Sequence, residues 1–252
     1  MTQFLKRINF PQAIAEVSLI VFGIVAAFAV QAWWENKKDR ETELAYLVNL
    51  QQDFVANRKN YVDTADSISI VIENINAVFS ILADIDTNAL PDSFPETLGR
   101  AYFVYTTTPV TGTYDDMVNS GNLRLIESES LRNLLAQFIT VVEQVRYAEQ
   151  SQDQGFRTVQ APFLNRFLIT TDFGWFDEDA DVDLELTEFL GSEPDSPHSV
   201  DAEAARSKEF WNILYSWKSS YAMTVQQVII ARNLCDEILV ALELEIASHS
   251  AE

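Results

Sequence analysis

The sequence predicts an all-α protein in which an N-terminal transmembrane helix continues into, or is linked to, a soluble antiparallel helical bundle. Three observations carry this reading. Residues 13–34 form an apolar run of membrane-spanning length. Beyond it, three stretches place apolar residues at steps of three and four, the spacing of one helix face. Only seven Gly and seven Pro occur in 252 residues, too few turn signals for a sandwich or barrel.

The span comes first. Bilayer hydrocarbon is ~30 Å thick and a helix rises ~1.5 Å per residue, so ~20 mostly apolar residues are required. The stretch QAIAEVSLIVFGIVAAFAVQAWWE, residues 12–35, supplies them, with only Glu16 and Gln31 strongly polar and both near its ends. Trp33 and Trp34 follow as interfacial anchors, joined by Lys37 and Lys38. Lys6, Arg7 and Ala27-Phe28-Ala29 also match the layout of a cleaved signal peptide, an alternative this stretch leaves open. Residues 1–11 read as an interfacial segment, with Phe4, Leu5, Ile8 and Phe10 toward the headgroups.

The soluble part, residues 36–252, begins with a helix expected to run to about Asp86. Its stripe is Leu44, Leu47, Phe54, Tyr61, Ala65, Ile68, Ile72, Ile75, Phe79 and Leu82, interrupted by Gln51 and Arg58. A loop with two prolines (86–95) and a short helix over Glu96–Tyr105 follow. Residues 106–116 are irregular, either a cleft-lining loop or a connector packed by Tyr114 and Met117. Gly121 reads as a helix stop, and Ser128 or Ser130 as the cap of a second long helix that Pro162 ends or kinks. Residues 169–200, with Gly174, Gly191, Pro194 and Pro197, read as an acidic excursion. A third long helix is expected from near Asp201, with a seam of Phe210, Leu214, Trp217, Tyr221, Val225, Val228, Arg232, Cys235, Leu239, Leu242 and Ile246.

A net charge of −21 leaves no basic stripe to neutralise phosphates, so nucleic acid is not an expected partner. One cysteine, Cys235, excludes an intramolecular disulfide and a thiolate zinc cluster. The two histidines, His198 and His249, have no neighbouring base or ligand in sequence, which argues against triads and multi-histidine metal sites. No motif with a catalytic mechanism appears, so a non-enzymatic protein is expected, with no cofactor.

Two places could nonetheless bind something. Glu16 is an ionisable group inside a span, a functional candidate if it meets a partner helix and a snorkelling side chain if it does not. Gly23 and Ala27, at small-xxx-small spacing, would let span helices approach closely. In the excursion, Asp177, Asp179, Asp181 and Glu188 fall at calcium-loop positions, although the turn glycine is replaced by Val182. The competing reading is a solvated acidic loop.

Glu16, Leu19, Val21, Gly23, Trp34, Glu35 and Asn36, with Tyr114, Met117, Ser120, Gly121, Leu123, Leu125 and Ile126, are similar to the pattern of a family of uncharacterised bacterial membrane proteins. The resemblance implies bacterial origin, a single-pass topology and a helical soluble domain, and implies no activity. The expectation is a membrane-anchored interaction or assembly protein of a bacterial inner membrane, with the bundle on the periplasmic side. Its expected partners are the lipid bilayer and either its own copies or another membrane protein. The alternative is a component that responds to a small ligand or ion through Glu16 or the acidic loop.

Overall fold

The computed structural model describes residues 10–84, 89–167 and 200–249, with side chains described from residue 14 and through residue 166 in the middle section. Helix α1 (Phe10–Ala83) is followed by α2 (Phe94–Arg100), α3 (Gly112–Ser120) and a 3₁₀ turn (Asn122–Leu125). Then come α4 (Glu129–Gly155), a π turn (Phe156–Gln160), α5 (Ala161–Phe167), α6 (Ala202–Ala205) and α7 (Lys208–His249). The described residues contain no strand.

Helix α1 is 74 residues long without a break, about 110 Å at 1.5 Å per residue. Every described side chain from Ile14 to Asp39 is exposed. From Glu43 onward the buried positions are Glu43, Leu47, Leu50, Phe54, Asn57, Tyr61, Thr64, Ile68, Val71, Ile75, Val78 and Leu82. These alternate steps of four and three throughout, which is the seam of a coiled coil rather than of a straight helix. Helix α7 repeats the pattern with Phe210, Leu214, Trp217, Tyr221, Thr224, Val228, Ala231, Cys235, Ile238 and Leu242. Helix α4 does so with Leu131, Leu135, Phe138, Val142, Val145 and Gln152.

Cross-links between the helices fix their directions. Arg58 pairs with Asp236 at 2.5 Å, and Lys218 Nζ donates to Asn76 Oδ1 at 2.6 Å. As the α1 number rises the α7 number falls, so the two are antiparallel. Phe54 and Phe138 meet edge to face at 4.7 Å, and Arg40 reaches Glu127 at 2.9 Å, so α4 runs parallel to α1. Burial of such side chains contributes ~1.5–3 kcal/mol each. The seam on α1 therefore holds its outer part helical by packing against two neighbours.

The core divides along its length. A cluster near the membrane joins Leu47–Tyr61 of α1, Leu131–Val145 of α4 and Val228–Leu242 of α7. A distal cluster joins Ile68–Leu82 with α2, α5 and Phe210–Tyr221. Buried Thr64, Gln152 and Thr224 separate them, with the Thr224 hydroxyl 3.0 Å from Gln152 Oε1.

Of the expected irregular segment 106–116, residues 112–116 are instead the start of α3, and residues 103–111 form a connector without regular structure, pinned by side chains. Trp217 Nε1 donates to the Ala101 carbonyl at 2.9 Å, and the Tyr221 hydroxyl donates to that of Phe103. The Thr107 amide and hydroxyl both donate to Glu149 Oε1, at 2.7 and 2.9 Å. Backbone polar groups far from regular structure are satisfied in this way.

Several local expectations need correction. The polar interruptions of the α1 seam are Asn57 and Thr64; Gln51 and Arg58 stand outside it. On α7 the buried line passes through Thr224, Ala231 and Ile238, whereas Val225, Arg232 and Leu239 are half-buried. At Asn57 and Thr224 the cause is a polar residue that hydrogen-bonds inside the bundle and reads from sequence as surface; at Ala231 and Ile238 the buried line lies one residue before the expected one. The third long helix begins at Lys208, because Asp201 caps the separate four-residue α6 by accepting from the Ala204 amide at 2.9 Å. Ser207 accepts from the Phe210 amide at 3.1 Å and opens α7. Of the two expectations for Pro162, the helix is interrupted beside it rather than ended. The π turn lies immediately before it, with the Ala161 N–H bonded to the Phe156 carbonyl, and this widening accommodates a residue that lacks an N–H and presses on the turn before it.

Other local features agree with expectation. Gly121 stops α3 at φ +75°. Ser128 caps α4, its hydroxyl accepting from the Leu131 amide at 3.3 Å.

Candidate functional site

Two regions carry the chemistry: the exposed membrane-length stretch of α1, and the collar where the bundle closes just beyond it. Among the described residues, the first is the one helix long and apolar enough to cross a membrane, located near the N-terminus and uncovered by the other described elements. Glu16 lies at its start and is exposed. Gln31 Nε2 donates to Glu35 Oε1 at 2.9 Å, so this amide is satisfied within its own helix. A Cβ built on Gly23 meets nothing within 4 Å, which leaves the Gly23 and Ala27 face open. Trp33 and Trp34 are exposed at 62% and 63%, as are Lys37 and Lys38. Asp177, Asp179, Asp181 and Glu188, with the whole 169–200 excursion, lie outside the described residues.

The collar is built from residues far apart in sequence. Glu43 lies nine residues past Trp34, about 14 Å along the axis, and its side chain is 2% exposed. Its Oε1 accepts from the Glu127 amide at 2.9 Å. Its Oε2 accepts from Arg40 Nη1 at 3.3 Å and lies 3.2 Å from His249 Nε2. Arg40 also reaches Glu127 Oε2 at 2.9 Å, while Arg132 donates to the carbonyls of Ile126 and Glu127. One turn further on, the Tyr46 hydroxyl donates to Asp116 Oδ2 at 2.8 Å and accepts from Asn122 Nδ2 at 3.0 Å. The collar thus joins α1, α3, the start of α4 and the last residue of α7.

This arrangement corrects the view that His249 has no acid beside it. Its partner is 206 positions away, a separation that spacing rules do not reach. Burial pushes the Cys235 thiol up to about 12, with nearby Asp236 adding to the rise and Arg58 opposing it. Burial likewise raises Tyr61, Tyr102 and Tyr221 above the usual phenol range. Among the described residues no group of three or more His, Cys, Asp or Glu side chains is placed to hold a metal ion.

A groove of about 750 Å³ runs between α4 and α7, floored by Gln152 and Thr224 and flanked by Ile139, Tyr147 and Met223. Glu143 and Tyr147 are the titratable side chains of its lining, which among the described residues includes no His, Cys, Lys or Arg.

Residues 16–161 match a family of unknown function (DUF6090). The chain belongs to this family. The DUF6090 match begins at Glu16 within the span and ends at Ala161, so it takes in the span, the connector, the collar's α1 and α4 residues, and the π turn. No curated protein and no solved structure matches the chain. The DUF6090 chain is a membrane-anchored, largely helical protein whose one apolar helix is consistent with a single-pass topology.

Proposed function

We propose that this chain is a non-enzymatic interaction or assembly protein of a bacterial inner membrane, holding an acidic helical bundle beside the bilayer for contact with its own copies or another membrane protein. The observation that carries this is the unbroken α1, which makes span and bundle one body. An apolar helix with an open Gly23/Ala27 face offers a packing surface in lipid, where close backbone approach drives association. We place the bundle on the periplasmic side, weighing Lys6 and Arg7 before the span against Lys37, Lys38 and Arg40, which follow it interleaved with acids.

The test is association in native membranes. Gly23→Cys and Ala27→Cys chains should form oxidative dimers, and the detergent-solubilised wild type should run above the 28.5 kDa of one chain. A bare monomer with no crosslink and no co-purifying chain would overturn the proposal. Labelling Gln150→Cys, on the exposed side of α4, from one side of the membrane tests orientation.

A second reading rests on Glu16. It stands seven residues before Gly23, within about 20° of the same face, so association through that face would bring acids of neighbouring chains together. That geometry favours an ion-responsive role. Glu16→Gln should then abolish the response, and an intact phenotype would remove this reading.

A further inference from the structure

The collar contains a buried carboxylate, Glu43, which among the described residues shares its guanidinium partner with a second acid. On α1, the Arg40 guanidinium serves both Glu43 and Glu127. In the connection into α4, Arg132 is turned to the Ile126 and Glu127 carbonyls. On α7, half-buried Glu245 one turn before His249 adds a further negative charge. His249 itself is 7% exposed and places Nε2 3.2 Å from Glu43 Oε2. Neutral imidazole brings no charge to this carboxylate. The imidazolium does, and an ionised carboxylate out of water needs such a partner. His249 is moreover the last residue of α7, where the negative end of the helix dipole favours a cation.

We propose that the collar is a proton-operated latch: the imidazolium of His249 clamps the end of α7 to Glu43 of α1, and loss of that proton loosens the last turn of α7 about half-buried Ile246, which packs against the core. The remainder of α7 stays in place, because Leu242, Ile238 and Cys235 are fully buried above it. Opening therefore uncovers Glu43 and the membrane-facing end of the bundle without unfolding the body.

The experiment uses the full chain in nanodiscs of zwitterionic lipid, which keep surface pH equal to bulk pH. Spin labels go on Ala45→Cys and Ala247→Cys, both exposed, while buried Cys235 takes none. At about pH 5.5 a single narrow distance distribution is expected, and at about pH 8.5 its loss. His249→Gln, which keeps a donor but no charge, should lack the narrow component at both values, and His249→Lys should keep it at both. An unchanged wild-type distribution, or a His249→Gln chain that responds as the wild type does, overturns the latch. Should His249→Gln lose its helical circular dichroism, His249→Lys decides alone: a pH-dependent distribution there also overturns it.

Discussion

Asn57 and Val110 exchange two hydrogen bonds: Asn57 Nδ2 donates to the Val110 carbonyl at 2.8 Å, and the Val110 amide donates to Asn57 Oδ1 at 2.6 Å. A side-chain amide on a helix thus does for the extended connector what a neighbouring strand would do, and it does so from a fully buried seam position. Asn57→Ala removes both bonds and leaves two backbone groups without partners. The expected loss is about 2–4 kcal/mol, read as a lower midpoint of thermal unfolding by circular dichroism in detergent. Asn57→Asp should cost at least as much, because a carboxylate then faces the Val110 carbonyl.

Trp217 is the centre of the distal cluster, with Tyr102 stacked at 5.5 Å, Phe156 at 5.8 Å and Tyr221 edge-on at 4.8 Å. Its Nε1 also holds the connector at Ala101. Trp217→Ala should destabilise by about 3–5 kcal/mol. Trp217→Phe should lose less, since most of the ring contacts survive and one hydrogen bond is lost. The same unfolding measurement ranks the two.

Two glycines should respond to alanine with opposite signs. Gly121 sits at φ +75° with nothing within 4 Å of an added Cβ, so Gly121→Ala costs about 1–2 kcal/mol through the backbone alone. Gly155 lies at φ −59° and ψ −42°, ordinary helix, and is equally open. Gly155→Ala should stabilise by about 0.4–1 kcal/mol, chiefly by restricting the unfolded chain. Matched denaturation curves settle both.

Alkaline pH should weaken the bundle. The Cys235 thiol is raised from 9.0 to about 12, so the folded chain holds this proton more tightly than the unfolded one. Stability is full below the unfolded value and falls as pH rises from about 9 to about 12. Burial of Tyr61, Tyr102 and Tyr221 acts in the same direction. The checks are a thiol reagent that fails to modify native Cys235 at about pH 8, and phenolate absorbance from these tyrosines that appears only with unfolding.

What could be read in advance was local. The apolar length of the span, Gly121 as a stop and Ser128 as a cap each depend on a few adjacent residues, and each stands where expected. The three long amphipathic helices were also legible, because burial on one face leaves a periodic trace. The seam itself was misread wherever a polar residue occupied it: Asn57, Thr64 and Thr224 are buried because Val110 and Gln152 serve two of them from other parts of the chain. The collar was invisible for a related reason. Glu43 looked like one more acid among thirty-eight, and only the antiparallel return of α7 brings His249 to it.

The absence of any hinge between Trp34 and Glu43 gives the molecule a definite angular phase. One residue inserted near Asn36 would swing the entire body about 100° round the α1 axis and lift it ~1.5 Å from the lipid. A seven-residue insertion would return it to within about 20° of its starting azimuth, roughly 10 Å higher. Whatever meets the acidic body in the native setting therefore encounters a side selected by counting residues along a shaft.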